Sequence, residues 1–151
     1  MNEKAGQGRQ VAATGGLFHC RVYYEDTDLA GVVYYANYLK FIERARSEWV
    51  RGLGIDQTRL KAERGIVFAV SRIVADYLTP ARFDDALTIT TAPEALSGVR
   101  IVLDQQVLRA QTLCFRASVT LVALGASGAP QRLPAEFRRH FGASLPQKTP
   151  M

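Results

Sequence analysis

Residues 24–54 read YEDTDLAGVVYYANYLKFIERARSEWVRGLG. This stretch joins an acidic turn to the one long amphipathic helix that the sequence predicts. Its apolar side chains recur with the period of a helix, and charged side chains occupy the opposite side. The apolar positions are Tyr38, Phe41, Ile42, Ala45, Trp49 and Leu53. Gly52 and Gly54 can take the positive φ on which helices commonly end, so we predict a helix over Tyr34–Gly52 with one face to bury.

Acidic residues precede this helix, and Asp28 is a candidate catalytic group. The alternative is an electrostatic or capping role, because the helix dipole favours a carboxylate at this end. The link Gly31-Val32-Val33 is small and apolar, which lets backbone N–H groups of the first turn face a cleft. A carboxylate beside free N–H donors suits hydrolysis, since one activates water or attacks and the other stabilises an oxyanion. Asp26 is predicted to be structural, holding the turn through backbone N–H groups.

The rest of the chain predicts mainly antiparallel strands. Leu17–Glu25 alternates between apolar and polar side chains, as a half-buried strand does. The other predicted strands are Ile66–Leu78, Ala86–Leu96, Val99–Leu108 and Leu113–Leu124. Short links rich in turn-forming residues separate these strands, so we expect hairpins. Asp56 is the predicted N-cap of a short helix or turn over Gln57–Arg64, and Arg132–Phe141 is predicted to add a further short helix after Pro134.

These elements predict an α+β fold with a five-stranded antiparallel sheet wrapped around one long central helix. A doubly wound parallel sheet is excluded, because strands and helices do not alternate along the chain. A chain of 151 residues with 48% hydrophobic content suits one domain. We place that domain at residues 17–141, between a disordered N-terminal tail over 1–16 and a C-terminal tail over 142–151. Open sheet edges commonly pair with a second copy, so a homodimer or homotetramer is expected.

The net charge of +5 resides mainly in the terminal segments. Residues 17–125 carry 13 basic and 12 acidic side chains, a net charge of +1 for the predicted core. Without a basic helix or a stacking platform, we predict no nucleic-acid function. No apolar run approaches the roughly 18 residues of a membrane span, and residues 1–16 lack the apolar stretch of a signal peptide. We therefore predict a cytoplasmic protein without an integral membrane segment.

Metal and cofactor sites are not predicted. The chain contains 2 Cys and 2 His, and they form no pattern of metal ligands. We interpret both histidines, His19 and His140, as non-catalytic. Glu43 lies in the middle of the predicted helix, and Arg46 at i+3 offers it a surface partner, so we predict a structural role for it.

The pattern Y-x-D-T-D-x-x-G-V-V-Y-x-x-x-Y, followed by F-x-E-R-A-R, resembles the hot-dog-fold acyl-CoA thioesterases of the 4-hydroxybenzoyl-CoA type. The similarity is closest to the branch named tol-pal-associated acyl-CoA thioesterase, and it continues through YLTPARFDD at residues 77–85. The resemblance implies that Asp28, the second Asp of D-x-D, is the catalytic carboxylate. It also implies that the backbone N–H of Tyr35 polarises the thioester carbonyl. Hot-dog proteins pair edge strands into dimers, place their sites at the subunit boundary and often form tetramers.

The resemblance implies hydrolysis of an acyl-CoA to free acid and CoA, with Asp28 as nucleophile or general base. Many members of the tol-pal-associated branch carry His where this chain has Tyr35, whereas the hydroxybenzoyl branch has Tyr. The choice between short aliphatic and aromatic acyl groups therefore stays open, as does the choice between CoA and an acyl-carrier protein. A hypothesis from another class is a binding module that holds acyl-CoA or acyl-carrier protein without turnover.

Candidate substrate-binding residues lie on the helix start and on the strands. They are Gly31, Val33, Tyr34, Tyr38, Ser71, Arg72 and Arg100. Arginine matches the geometry of phosphate, although an arginine on a strand is more often simply solvated. For Tyr34 and Tyr38 the alternative is a place in the core, because they recur at helical spacing.

Overall fold

A computed structural model describes residues 15–143 and 145. Its elements in chain order are β1 (Gly16–Arg21), a 3₁₀ turn (Tyr24–Asp26), α1 (Asn37–Gly52), α2 (Gln57–Arg64), β2 (Val67–Tyr77), β3 (Ala86–Leu96), β4 (Arg100–Arg109), β5 (Thr112–Leu124) and α3 (Ala135–Ala143). The strands form one five-stranded sheet in the order β1-β3-β4-β5-β2, and every pairing is antiparallel. The predicted α+β fold is confirmed. Most of the predicted tails, residues 1–14, 144 and 146–151, lies outside the described residues.

Helix α1 packs its apolar face against the sheet. The buried side chains of this face are Tyr38, Phe41, Ile42, Ala45, Trp49 and Val50. Strand β1 approaches the helix so closely that a Cβ on Gly16 would lie 2.8 Å from the ring of Trp49, so glycine is required there. On its other side, Trp49 stacks on Phe141 of α3 with ring centroids 5.5 Å apart. The C-terminal half of α1 therefore contacts α3 as well as the sheet.

Several predicted boundaries are wrong. Strand β1 ends at Arg21 instead of Glu25, because the carboxylate of Asp26 accepts the Tyr23 N–H at 2.8 Å and the chain folds into the 3₁₀ turn. Helix α3 begins after Pro134 as predicted, since proline disfavours helical backbone at the residue before it, but it ends at Ala143 instead of Phe141. The start of α1 is three residues later than predicted, and the Tyr35 carbonyl ahead of it accepts the Tyr77 hydroxyl. None of the described helices is long and apolar enough to cross a membrane.

Strand β2 forms one edge of the sheet and exposes apolar side chains. Val70 is 43% exposed and Val74 is 49% exposed in the single chain. An open edge with apolar side chains is a template for strand pairing. We therefore expect a homodimer or homotetramer, with the β2 edge covered by a second copy.

This assembly is testable by light scattering at micromolar protein concentration, where we expect a mass of two or four chains. Lysine on an edge strand opposes pairing, so the double variant Val70→Lys/Val74→Lys should shift the mass towards one chain. The matched control places the same charges on α2, as Gln57→Lys/Thr58→Lys, and should leave the mass unchanged. A monomer mass for the wild-type protein would contradict the prediction.

Candidate active site

The acidic turn folds back on the segment that leads into α1. Thr27 and Val33 form an antiparallel bridge, and the Tyr34 N–H donates to the Asp26 carbonyl at 2.8 Å. Gly31 closes this ribbon with φ of +83°, a conformation that other residues rarely adopt. The ribbon therefore holds the acidic turn beside the start of the helix.

The two carboxylate oxygens of Asp28 have different surroundings. Oδ1 accepts hydrogen bonds from the N–H of Ala30 at 2.9 Å and of Val32 at 3.4 Å. Oδ2 accepts no hydrogen bond from any residue that the structure describes, and the residue is exposed in the single chain. One oxygen therefore maintains the turn, while the other is available to attack carbon or to take a proton from water.

The chain ahead of α1 presents two backbone donors. The N–H groups of Tyr35 and Ala36 find no acceptor within residues 15–143. Ala36 is the N-cap, and its side chain cannot accept a hydrogen bond. The Tyr34 carbonyl accepts the Asn37 N–H at 2.8 Å, and the N–H of a trans peptide points opposite to its carbonyl. The Tyr35 N–H therefore points away from the helix body, at the positive end of the helix dipole.

Loop 78–85 braces this arrangement from the core side. The Val33 N–H donates to the Ala81 carbonyl at 2.8 Å, and Val32 forms a bridge with Arg82. The hydroxyl of Tyr38 in turn accepts the Ala81 N–H at 3.1 Å. The second stretch of the motif, residues 77–85, thus lies directly against the Asp28 ribbon.

Tyr77 is a residue of this region that the sequence analysis missed. Its hydroxyl donates to the Tyr35 carbonyl at 3.0 Å, and its ring lies edge-on to those of Tyr35, Tyr38 and Phe115. This bond explains the late start of α1, because the Tyr35 carbonyl faces Tyr77 and the Leu39 N–H donates to Ala36 instead. Desolvation raises the pKa of the Tyr77 phenol, a group that is protonated at neutral pH even at its ordinary pKa. The 42-residue separation of Tyr77 from Tyr35 leaves no periodic signal in the sequence.

The predicted substrate-binding residues near the helix start separate into two groups. Val33 and Tyr38 are 4% and 3% exposed, so their side chains fill the core of the single chain and do not line a surface pocket. Tyr38 also stacks on Phe115 with centroids 4.8 Å apart, as the core alternative predicted. Tyr34 and Tyr35 are exposed, with ring centroids 4.9 Å apart. Their rings form an aromatic surface beside the acidic turn. Gly31, which belongs to this turn, is also exposed.

The predicted contacts on the strands do not meet Asp28 within one chain. Ser71 lies at a β-bulge in β2, and its neighbour Arg72 is five positions before Tyr77, roughly 17 Å along an extended strand. Val107 of β4 pairs with Phe115, which pairs with Tyr77 near the site. Arg100 begins β4 at the opposite end of the sheet, roughly 23 Å along the strand from Val107. The three side chains could reach the Asp28 turn only from a second subunit, so their role stays a prediction.

The environment of Glu43 differs from the prediction. Glu43 accepts a hydrogen bond from the Ser47 hydroxyl at 2.7 Å, and its charge also acts on Arg46, the predicted partner. Arg46 points inward and donates to the side-chain oxygen of Gln105 at 3.4 Å. Burial lowers the pKa of the Arg46 guanidinium, although the charge of Glu43 opposes this effect.

Gln105 lies fully buried at the centre of β4. Its amide donates to the Ile42 carbonyl at 2.8 Å and to the Thr91 hydroxyl at 2.9 Å. The Gln105 side chain therefore links α1 to the sheet. A glutamine at an inward position of an otherwise apolar strand was the available sequence signal.

A nearby cavity of about 220 Å³ is lined by Glu43, Trp49, Phe68 and others, and neither Asp28 nor Tyr35 borders it. We place the candidate active site at the Asp28 turn, because an unengaged carboxylate oxygen and two unengaged backbone N–H groups lie there.

Comparisons with known proteins give the family. The model of the thioesterase-like superfamily matches residues 22–143. The acyl-CoA thioesterase YbgC of Haemophilus influenzae is 39% identical over 129 residues, which are 84% of this chain and 94% of that protein. A solved structure described as a probable thioesterase from Bartonella henselae has a TM-score of 0.76 at 36% identity, over 80% of this chain and 99% of that one.

A fourth comparison concerns the fold alone. A mutant 4-hydroxybenzoyl-CoA thioesterase in complex with 4-hydroxybenzoyl-CoA has a TM-score of 0.79 at 24% identity, over 85% of this chain and 99% of that one. Together with the antiparallel sheet wrapped on one helix, these likenesses define a hot-dog fold. The chain belongs to the thioesterase-like superfamily, which confirms the resemblance seen in the motif.

Proposed function

We propose that this protein is an acyl-CoA thioesterase with Asp28 as its reactive carboxylate. The observation that carries the proposal is the pairing of one unengaged carboxylate oxygen with two unengaged backbone N–H groups at a helix start. The family and the YbgC relative support the reaction class. The binding-module alternative has no comparable support, because a binder needs no unengaged carboxylate.

In the proposed reaction the thioester carbonyl oxygen accepts the N–H of Tyr35. Fixed donors at the positive end of a helix stabilise the negative charge that develops on this oxygen. Asp28 then attacks the carbonyl carbon to form a mixed anhydride and release the CoA thiolate, and water hydrolyses the anhydride to the free acid. In the alternative, Asp28 takes a proton from water, which attacks the carbonyl directly. A thiolate is a good leaving group, so neither route needs a histidine acid.

For the substrate we propose a short aliphatic or an aromatic acyl group. The exposed rings of Tyr34 and Tyr35 beside the turn support this size and chemistry, because aromatic surfaces stack on flat acyl groups. Arg72 and Arg100 of a second subunit are the proposed contacts for CoA phosphates, with Ser71 beside them. Acyl-carrier protein is the alternative carrier of the same acyl group.

A thiol-release assay over a panel of acyl-CoAs tests the proposal. The panel covers acetyl-, butyryl-, hexanoyl-, benzoyl- and 4-hydroxybenzoyl-CoA, with the same acyl groups on acyl-carrier protein in parallel. We expect saturable hydrolysis of at least one substrate, with kcat/KM of about 10⁴ M⁻¹ s⁻¹ or more. Binding of acyl-CoA without thiol release above the uncatalysed rate, over the whole panel, would establish the binding module instead.

A further inference from the structure

We propose that Tyr77 is a positioning residue, whose hydroxyl fixes the Tyr35–Ala36 peptide so that two successive N–H groups face the thioester carbonyl. The inference rests on the proposed function and adds to it a residue and a second donor, the Ala36 N–H. Tyr77 touches neither the substrate nor the reacting atoms in this scheme. It acts through the peptide that it holds.

Two neighbouring peptides ahead of α1 are held by their carbonyl groups. The Tyr34 carbonyl accepts the Asn37 N–H at 2.8 Å, and the Tyr35 carbonyl accepts the Tyr77 hydroxyl at 3.0 Å. Each peptide is planar and trans, so its N–H points opposite to its carbonyl. The first bond therefore orients the Tyr35 N–H, and the second orients the Ala36 N–H. Without the Tyr77 hydroxyl, the helix start would fix the first of these peptides in the same way but would give the second a different orientation.

The position of Tyr77 is itself well determined. It is the last residue of β2 and pairs with Phe115 of β5, whose ring lies 5.1 Å away at an angle of 67°. The ring also meets Tyr38 at 5.7 Å, and Tyr38 is buried in the core. The hydroxyl is thus mounted on the sheet and not on the loop that it orients. A donor group placed by a rigid element gives a defined geometry to the peptide.

The helix start shows the effect of this bond on the backbone. With its carbonyl turned to Tyr77, Tyr35 does not accept the N–H of Leu39, which donates to Ala36 at 3.1 Å. The helix begins at Asn37, and the peptide ahead of it stays outside the helical ladder. Without the hydroxyl, the Tyr35 carbonyl is free to accept the Leu39 N–H and extend the helix, which turns the Ala36 N–H parallel to the helix axis.

Tyr77→Phe removes the hydroxyl and keeps the ring with its core contacts. We expect kcat to fall by about tenfold with KM within about twofold, less than the roughly 10²-fold loss when an oxyanion donor is removed. Slower hydrogen exchange of the Leu39 amide should accompany the fall, as the helix extends. A merely structural role would lower the melting temperature without this split between kcat and KM.

Tyr24→Phe is the matched control, because Tyr24 is an exposed tyrosine that stacks on Phe83 through its ring. It should retain the wild-type kcat and Leu39 exchange. Unchanged kcat and exchange in Tyr77→Phe, in protein whose Asp28→Asn variant is inactive, would overturn the role of Tyr77 and leave the proposed function intact. A wild-type protein without thiol release would instead refute the proposed function. Should Tyr77→Phe fold poorly, wild-type Leu39 exchange decides: protection typical of a full helical bond from the Leu39 N–H to the Tyr35 carbonyl would overturn the proposal.

Discussion

Asp28→Asn is expected to lower thiol release from acyl-CoA by about 10²-fold or more, the scale of the loss of a positioned base or nucleophile. Asparagine keeps a side-chain oxygen that can accept the N–H groups of Ala30 and Val32, so the turn is retained. The change replaces the unengaged Oδ2 with an amide nitrogen, which can neither attack carbon nor accept a proton. Steady-state kinetics by thiol release, with CoA binding measured separately, gives the result.

Two further variants separate chemistry from structure at this turn. Asp26→Asn keeps an acceptor for the Tyr23 N–H and should retain turnover, because the Asp26 carboxylate is already engaged in the 3₁₀ turn. Asp28→Ala removes both the charge and the turn contacts, so it should lose turnover and stability together. If Asp28 is only an anion at a helix start, Asp28→Asn costs under about 1 kcal/mol of unfolding free energy and turnover is unchanged. That outcome would contradict the catalytic role.

The elements predicted most accurately are those whose ends are set by local chemistry. Helix α2 spans Gln57–Arg64 as predicted, because the Asp56 carboxylate accepts the Arg59 N–H at 3.0 Å and Gly65 takes φ of +68° at the other end. Strand β3 also matches its predicted bounds, since alternating side chains between two turns define it. Capping and alternation act over a few residues, so the sequence displays them directly.

The errors occur where a distant residue decides the local backbone. The Tyr77 hydroxyl draws the Tyr35 carbonyl away from the helix, and α1 therefore starts at Asn37 instead of the predicted Tyr34. Arg46 likewise turns inward because Gln105, on β4, offers a buried acceptor. Hydrogen bonds between residues far apart in the chain leave no periodic trace, so propensity and spacing cannot anticipate them.

The same distinction between short-range and long-range features applies to the candidate site. The motif predicted Asp28 and the Tyr35 N–H as one site, and the two lie in and directly after a single short ribbon, while their catalytic roles stay a prediction. The substrate-binding residues were less accessible to sequence reasoning. Val33 proved to be buried, and Arg100 lies at the far end of the sheet within one chain. A contact made across subunits depends on an arrangement that a single sequence does not encode as a pattern.

Phe115→Ala is expected to cost about 3–5 kcal/mol of unfolding free energy, the range for removing a buried phenylalanine ring. Phe115 is 0% exposed, and it stacks on Tyr38 with the ring planes 6° apart. For a domain of this size the loss corresponds to a melting temperature lower by about 10 °C, measured at fixed protein concentration because an oligomer's stability depends on it.

The same variant tests whether the core supports the site. Phe115 contacts both Tyr38, which accepts the Ala81 N–H, and Tyr77, which holds the Tyr35 carbonyl. Turnover per folded molecule should therefore fall as well as stability. Phe141→Ala is the control, because Phe141 is 2% exposed and stacks on Trp49, on a different part of α1. It should lose comparable stability and keep its turnover, whereas equal kcat in the two folded variants would show that the Asp28 turn is positioned independently of the aromatic core.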